Sequence, residues 1–289
     1  MKRLFFSMTV LLAILLAEQD AVADVLFPPY NNSVAVWLLD EGSGTSFYDA
    51  TINNNNGAFV RTGTDVSFDT TVKKFGASSF KEFNAFSGEG GIVPDSASLH
   101  ALTNNFTVES WIRWDGVSAN GTMMSRADST RTSAYQWEIV QNGTTKDLVL
   151  AINSAAGTIL VDDGAPFPSN VFVHVAFTYA SGAVNLYTNG FLAGSASNPS
   201  VVPSGIGKIA LGTFIDGSGG VGPSFRDGWL DEVRLSDIVR VPGDGSGTNN
   251  FLAWNQSLIP EPTALNLSLL SLAWVFLPVS RRLKSRREK

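Results

Sequence analysis

The chain has 289 residues, a formal net charge of −6, two histidines and no cysteine. The absence of cysteine excludes disulfides, thiol catalysis and cysteine-based metal sites, and two histidines nearly exclude a multi-histidine site. Residues 24–259 contain 12 Lys and Arg against 22 Asp and Glu, a formal charge of −10. Such an acidic segment without a basic stripe argues against a nucleic-acid partner and is compatible with divalent cations and neutral sugars.

Residues 1–23 have the three-part layout of a secretory signal peptide. Lys2 and Arg3 precede an apolar run, residues 4–17, that is shorter than the ~20 residues of a comfortable membrane span. The small residues Ala21 and Ala23 occupy the positions that a signal peptidase requires. We therefore predict cleavage after Ala23 and export of the protein; a buried N-terminal helix is the alternative.

Short alternating runs separated by Gly, Asn, Ser and Thr clusters fill the middle of the chain, as is typical of antiparallel sheets. The run 106–114 places apolar residues on one strand face, and the run 171–179 alternates in the same way. Asn189-Gly190 lies between two further runs and predicts a tight type I′ hairpin, since both residues tolerate positive φ.

Ordered sequence blocks in this region resemble laminin-G-like, concanavalin A-like lectin/glucanase domains. The resemblance extends over residues 32–240, and its blocks are 36–44, 91–96, 106–114, 174–179, 186–190 and 228–234. It implies an all-β, antiparallel jelly-roll sandwich over residues 24–240. It also implies ligands of the sugar class, although one fold can host many functions.

The resemblance further implies a structural Ca²⁺, which domains of this type often hold with carboxylates and loop carbonyls. Asp40 ends the first strand block and Asp231 lies in the last, and first and last strands are commonly neighbours in this fold. We predict that these two carboxylates meet and bind Ca²⁺ together with a loop carbonyl. Alternatively, Asp231 is a buried carboxylate satisfied by backbone N–H groups or by Arg234.

Sugar binding requires an exposed aromatic platform beside polar groups. If the apolar face of the run 106–114 forms the core, three residues project from the other face of that strand, Glu109, Trp111 and Arg113. His174 projects from its own strand in the same manner. These four residues are the predicted ligand-binding groove. Alternatively, a loop covers Trp111, and Glu109 and Arg113 form an ordinary surface ion pair.

Catalytic motifs of the related enzymes are not found in the sequence. Retaining glycosidases of this fold use carboxylates in a pattern close to Glu-x-Asp-x-x-Glu, because alternate residues on a strand face one cleft. Here Asp231 and Glu232 are adjacent and would face opposite sides. The motifs of the polysaccharide lyases are also missing. We therefore expect no catalytic residues.

The C-terminus begins with a predicted flexible linker, residues 241–259, followed by the tripeptide Pro260, Glu261 and Pro262. A short apolar segment (265–279) and a basic end (281–289) complete a tail that resembles a PEP-CTERM sorting signal over residues 260–289. The resemblance implies a Gram-negative-type bacterium that makes exopolysaccharide, and processing by an exosortase-type enzyme. The basic end would stay cytoplasmic, with the apolar segment at least transiently in the membrane. An ordinary short membrane anchor is the alternative.

These features together predict an exported, non-catalytic carbohydrate-binding or adhesion protein of the cell surface or extracellular matrix. Its expected partner is a polysaccharide or glycoconjugate. A structural or protein-binding module is the first alternative, since laminin-G-like domains also bind proteins. A glycoside hydrolase or polysaccharide lyase is the second.

Overall fold

The computed structural model of the protein describes residues 32–60, 65–82, 89–115, 121–127, 134–142, 145–214, 227–243 and 250–251, with only the backbone at 134–142 and 145–146. The predicted cleavage residues Ala21 and Ala23 and the sorting motif Pro260, Glu261 and Pro262 lie outside these ranges. Within them, no helix combines the length and apolarity that a membrane crossing needs.

The described chain forms two antiparallel sheets of eight strands each and one 3₁₀ turn, Ser98–Ala101, which confirms the predicted all-β fold. Sheet I has the order β14-β13-β12-β7-β16-β5-β4, and β1 also pairs with β16. Its strands are β1 (Ser33–Trp37), β4 (Val66–Asp69), β5 (Ser79–Glu82), β7 (Asn105–Trp114), β12 (Phe172–Ala180), β13 (Ala183–Thr188), β14 (Phe191–Ser197) and β16 (Gly228–Ser236).

Sheet II has the order β11-β10-β9-β8-β15-β6-β3-β2. Its strands are β2 (Ser46–Phe47), β3 (Gly57–Val60), β6 (Gly90–Val93), β8 (Gly121–Ala127), β9 (Ala134–Asn142), β10 (Thr145–Ser154), β11 (Gly157–Pro166) and β15 (Lys208–Leu211). The hydrophobic core draws on both sheets, with Phe106, Ile112 and Val175 from sheet I and Leu150 and Ile209 from sheet II. The alternation predicted for β7 and β12 is therefore confirmed, since their apolar residues face this core.

Strand β16 brings the two ends of the domain together. It pairs with β7 along one side, while on the other side β5 pairs with residues 228–230 and β1 with residues 233–236. A bulge between Asp231 and Arg234 separates the two partners, and Glu232 there has a φ of 48°. The expected neighbourhood of the first and last strands is confirmed, and Asp231 lies where β16 changes partner.

Two local features lie near the ends of sheet I. Asn189 and Gly190 have φ values of 48° and 79°, which confirms the tight turn between β13 and β14. Asn250 pairs with Val241, and the N–H of Phe251 donates to the carbonyl of Val241. Phe251 is only 2% exposed, so residues 250–251 belong to the folded domain, although we expected a flexible linker there.

Candidate functional site

The face of sheet I that points away from sheet II carries a buried polar network centred on Glu109. Arg234 donates from Nε to Oε1 of Glu109 at 2.7 Å, and His174 Nε2 lies 3.1 Å from Oε2. Arg240 Nε lies 4.0 Å from Oε1 and donates to Ser236. All of these side chains are at most 2% exposed. The cross-strand register places them together, because Glu109 lies opposite Arg234 on β16.

Charge balance explains why this carboxylate can be buried. Burial by itself raises the pKa of Glu109, but Arg234, His174 and Arg240 outweigh it and lower that pKa to about 2. Burial, followed by repulsion from Arg234, lowers the pKa of Arg240 to about 9, so that Arg240 remains a cation at neutral pH. The network therefore consists of one carboxylate shared by two guanidinium groups and a histidine, which is a structural arrangement.

Two distant segments cover the predicted groove. The ring of Phe75 meets the ring of Trp111 edge-on at 5.8 Å, and Nζ of Lys74 lies 4.2 Å from the Trp111 ring centroid. Phe251 lies against His174, with 6.1 Å between ring centroids. Trp111 is 1% exposed and His174 is 0% exposed. The structure brings three of the four predicted residues together but buries them, so the prediction of an open groove is wrong.

Arg113, the fourth predicted residue, is only partly buried and lies in a row that crosses sheet I. The register runs from Phe172 through Arg113 and Trp229 to Lys81. The guanidinium of Arg113 lies 5.3 Å from the Trp229 ring centroid, and Trp229 donates from Nε1 to Asp69 at 3.0 Å. Among the described residues, Arg113 Nε has no hydrogen-bond partner. The expected Glu109–Arg113 ion pair is not formed, because Glu109 pairs with Arg234.

We call Lys74, Lys81, Arg113 and Trp229 the cationic ledge. Of these four residues, only Arg113 was predicted from the sequence. Trp229 is 6% exposed, with its ring beneath Arg113. The pair Lys73-Lys74 before Gly76 was the one signal in the sequence that pointed to a cationic loop. Lys81 could not be placed beside Trp229, because alternation does not give the register between β16 and β5.

Asp40 and Asp231 bind the same loop, residues 70–78, which joins β4 to β5. Oδ1 of Asp40 accepts from the N–H groups of Ala77 at 2.6 Å and Ser78 at 3.1 Å. Oδ2 of Asp231 accepts from the N–H groups of Lys74 at 2.6 Å and Phe75 at 3.1 Å. The two carboxylates thus hold both halves of the loop that covers Trp111. The alternative in which backbone N–H groups satisfy Asp231 is confirmed for this one oxygen.

The second oxygen of Asp231 is in a different situation. Oδ1 is buried and has no hydrogen-bond partner among the described residues. Burial, together with the charges of Glu232 and Asp40, raises the pKa of Asp231 to about 8, although the N–H groups of Lys74 and Phe75 lower it. A buried carboxylate with an unsatisfied oxygen beside two other acids fits a cation in charge and ligand type. Three such side chains in metal-ligand geometry are not found in the described ranges, so backbone carbonyls would have to complete the shell.

The family model described as "Concanavalin A-like lectin/glucanases superfamily" matches residues 86–244. No curated protein sequence is significantly similar to the chain. Solved structures similar to it include domain 4 of AbnA, an extracellular GH43 arabinanase from Geobacillus stearothermophilus in complex with arabinotriose. That likeness has 20% identity and a TM-score of 0.51, and covers 71% of this chain and 92% of that domain.

Botulinum neurotoxin binding domains are similar as well. The serotype D domain has 15% identity and a TM-score of 0.52, over 73% of this chain and 49% of that one. The DC domain, solved in complex with SialylT, has 13% identity and a TM-score of 0.50, over 72% and 48%. The chain thus spans about half the length of the toxin domains, and at these identities the likeness concerns the fold alone.

Proposed function

Since this chain belongs to the concanavalin A-like lectin/glucanase superfamily, we propose that it is a non-catalytic carbohydrate-binding or adhesion protein. The observation that carries the proposal is the ledge, where Arg113, Lys74 and Lys81 present cationic donors on one sheet face. Sugar binding requires fixed polar groups, and the Trp229 ring, 6% exposed beneath Arg113, holds one of these donors in place. The solved complexes of similar fold with arabinotriose and SialylT are compatible with this class of ligand.

The carboxylates of this face favour binding over catalysis. Glu109 is neutralised by two arginines and a histidine, and Asp231 holds the loop 70–78 with one of its oxygens. A glycosidase needs two carboxyl groups about 5–10 Å apart in a cleft that admits the sugar, and these two lie beneath covering segments.

Binding to immobilised polysaccharides, measured with and without an Arg113→Ala substitution, tests the proposal. We expect retention on at least one polysaccharide and a loss of about tenfold or more in affinity when Arg113 is removed, because a charge-assisted contact contributes roughly 1.5–3 kcal/mol. Release of reducing ends or unsaturated products from any of these polysaccharides would instead identify an enzyme.

Calcium is the second part of the proposal, with Asp231 and Asp40 as carboxylate ligands. The unsatisfied Oδ1 of Asp231 supports it, since a cation there would compensate a buried charge. Thermal unfolding in millimolar Ca²⁺ against chelator tests it, with stabilisation of about 2.7 kcal/mol at a hundredfold excess over Kd. Asp231→Asn should abolish the effect, whereas Asp162→Asn on exposed β11 should not. Equal melting with and without Ca²⁺ would refute it.

The setting is also a proposal: export by the N-terminal signal, transient membrane insertion of the tail, exosortase-type processing near Pro260, and residence at the cell surface or in the matrix. The acidic, cysteine-free domain and the order of the tail elements support this localisation. Mass spectrometry of the protein recovered from its producing cell would give both mature ends. A mature N-terminus other than Asp24, or an intact C-terminal Lys289, would contradict the corresponding half.

A protein-binding module is the second candidate, and a specific surface favours it. At the start of β14, Phe191 is 77% exposed and Leu192 is 59% exposed. Adjacent exposed apolar residues at a hairpin turn are typical of protein contacts. A defined protein retained by the wild type and lost with Phe191→Ser, together with no retention on any polysaccharide, would favour this candidate.

A further inference from the structure

In the part of the chain that the structure describes, most of the non-buried cations of this acidic protein lie close together. Among the described residues, the Lys and Arg side chains that are not buried are Lys73, Lys74, Lys81, Arg113 and Lys208. Only Lys208, on β15 of sheet II, lies away from the ledge and the adjoining loop 70–78.

Two of these cations are held without an acidic partner. Arg113 lies over Trp229, and Lys74 lies over Trp111; neither forms a salt bridge with a described residue. Arg113 and Trp111, the residue beneath Lys74, are two positions apart on the same face of β7, which corresponds to about 7 Å along a strand. Lys81 lies 3.6 Å from Asp69, whose carboxylate also accepts from Trp229, so this acid is already shared.

This pattern differs from that of a site for neutral sugars. Neutral hydroxyls are matched by paired donors and acceptors, whereas the ledge offers donors that carry full positive charge. A planar guanidinium resting on an indole ring is oriented for bidentate contact with a carboxylate or sulfate group. Among the described residues, Arg234, Arg240 and Arg126 are buried, which leaves the ledge cations, Lys73 and Lys208 able to meet an anion from solution.

From this geometry we infer that the ledge binds an anionic polysaccharide through its carboxylate or sulfate groups. Arg113 and Lys74 contact successive anionic groups of the chain, while the buried rings of Trp229 and Trp111 beneath them hold the two cations in position. The inference rests on the proposed carbohydrate-binding function and names its class of ligand.

Binding of the full protein to polygalacturonate oligomers and to the same oligomers after carboxyl reduction tests the inference, with dextran sulfate and dextran as the sulfate pair. We expect the anionic member of at least one pair to bind tenfold or more tightly than its neutral partner. Arg113→Gln and Lys74→Gln should each weaken that binding about tenfold, and rising salt should weaken it as well. Lys208→Gln, which removes the same charge from the other sheet, should change affinity less than twofold.

Further variants and ligands distinguish a loss of anion binding from a loss of folding and from a loss of all carbohydrate binding. Arg113→Lys keeps the charge without the planar fork, so intermediate affinity is expected at an unchanged melting temperature. An equal loss with Lys208→Gln, or tighter binding to a single-stranded oligonucleotide, would overturn the inference. Equal binding of neutral and anionic partners would overturn it while leaving carbohydrate binding intact. Retention on no polysaccharide would overturn both.

Discussion

Replacement of Glu109 by Gln tests whether the network on sheet I is structural. The substitution keeps the shape of the side chain but removes a carboxylate that lies within 4.0 Å of both buried arginines. The pKa of Glu109 falls from an ordinary 4.5 to about 2, and each pKa unit corresponds to ~1.4 kcal/mol, which gives about 3 kcal/mol of stabilisation. Loss of one partner of a buried ion pair typically costs about 3–5 kcal/mol, in agreement with this value.

The dependence on pH has a definite sign. Because the folded-state pKa of Glu109 lies below its unfolded value, the stabilisation is fully present above pH 4.5 and is lost as the pH falls towards 2. Urea unfolding followed by tryptophan fluorescence should therefore show a wild-type advantage of about 3 kcal/mol at pH 7 that shrinks between pH 4.5 and 2. Asp162→Asn on exposed β11 serves as the control and should be nearly neutral.

Two results would refute this reasoning. A loss below about 1 kcal/mol at pH 7 would mean that Arg234 and Arg240 do not depend on Glu109 for compensation, as expected only for exposed pairs. A difference between wild type and variant that stays constant down to pH 2 would mean that the carboxylate is not ionised in the folded protein.

Three further predictions follow from the same structure. Gly76→Ala should destabilise the protein, because its Cβ would lie 2.1 Å from the Asp40 carboxylate, and it should speed tryptic cleavage at Lys73 and Lys74. The control is Gly44→Ala, which is also at positive φ but has open space around it. It should cost only ~1–2 kcal/mol of stability and leave the loop 70–78 protected from trypsin. Gly190→Ala should lower the melting temperature, because an alanine at φ 79° costs ~1 kcal/mol of stability, whereas Gly190→Asn should cost less. Equal melting temperatures of the two variants would contradict the type I′ turn. Phe251→Ala should lower the free energy of unfolding in urea by about 3–5 kcal/mol, whereas the exposed control Leu192→Ala should lower it by under ~0.5 kcal/mol. A loss as small as that of the control would show that residues 250–251 do not pack on His174.

The proposed matrix setting fits the ledge in one respect. An acidic protein in a polysaccharide matrix repels acidic polymers over most of its surface, and it binds them only where its cations are clustered. The concentration of non-buried Lys and Arg at one end of sheet I would then set both the orientation and the salt dependence of adhesion.

The sequence by itself determined the fold class and the alternation of β7 and β12, and its family resemblance implied the adjacency of the first and last strands. Alternation along β7 and β12 reports which residues share a strand face, and Asn189-Gly190 reports a turn, because both signals are local. It correctly separated Phe106 and Ile112 from Glu109 and Trp111. It also placed Asp40 near Asp231, since the pairing of β1 with β16 follows from the block order of the family.

Only the tertiary structure decided what covers the face of sheet I that points away from sheet II. Alternation shows that Trp111 points away from the core, but it cannot show that a loop starting at residue 70 folds back over it. The same holds for His174, which Phe251 covers from 77 residues further along the chain. Such long-range contacts depend on side-chain packing and on hydrogen bonds such as that from Lys74 to Asp231, which leave no periodic signal in the sequence.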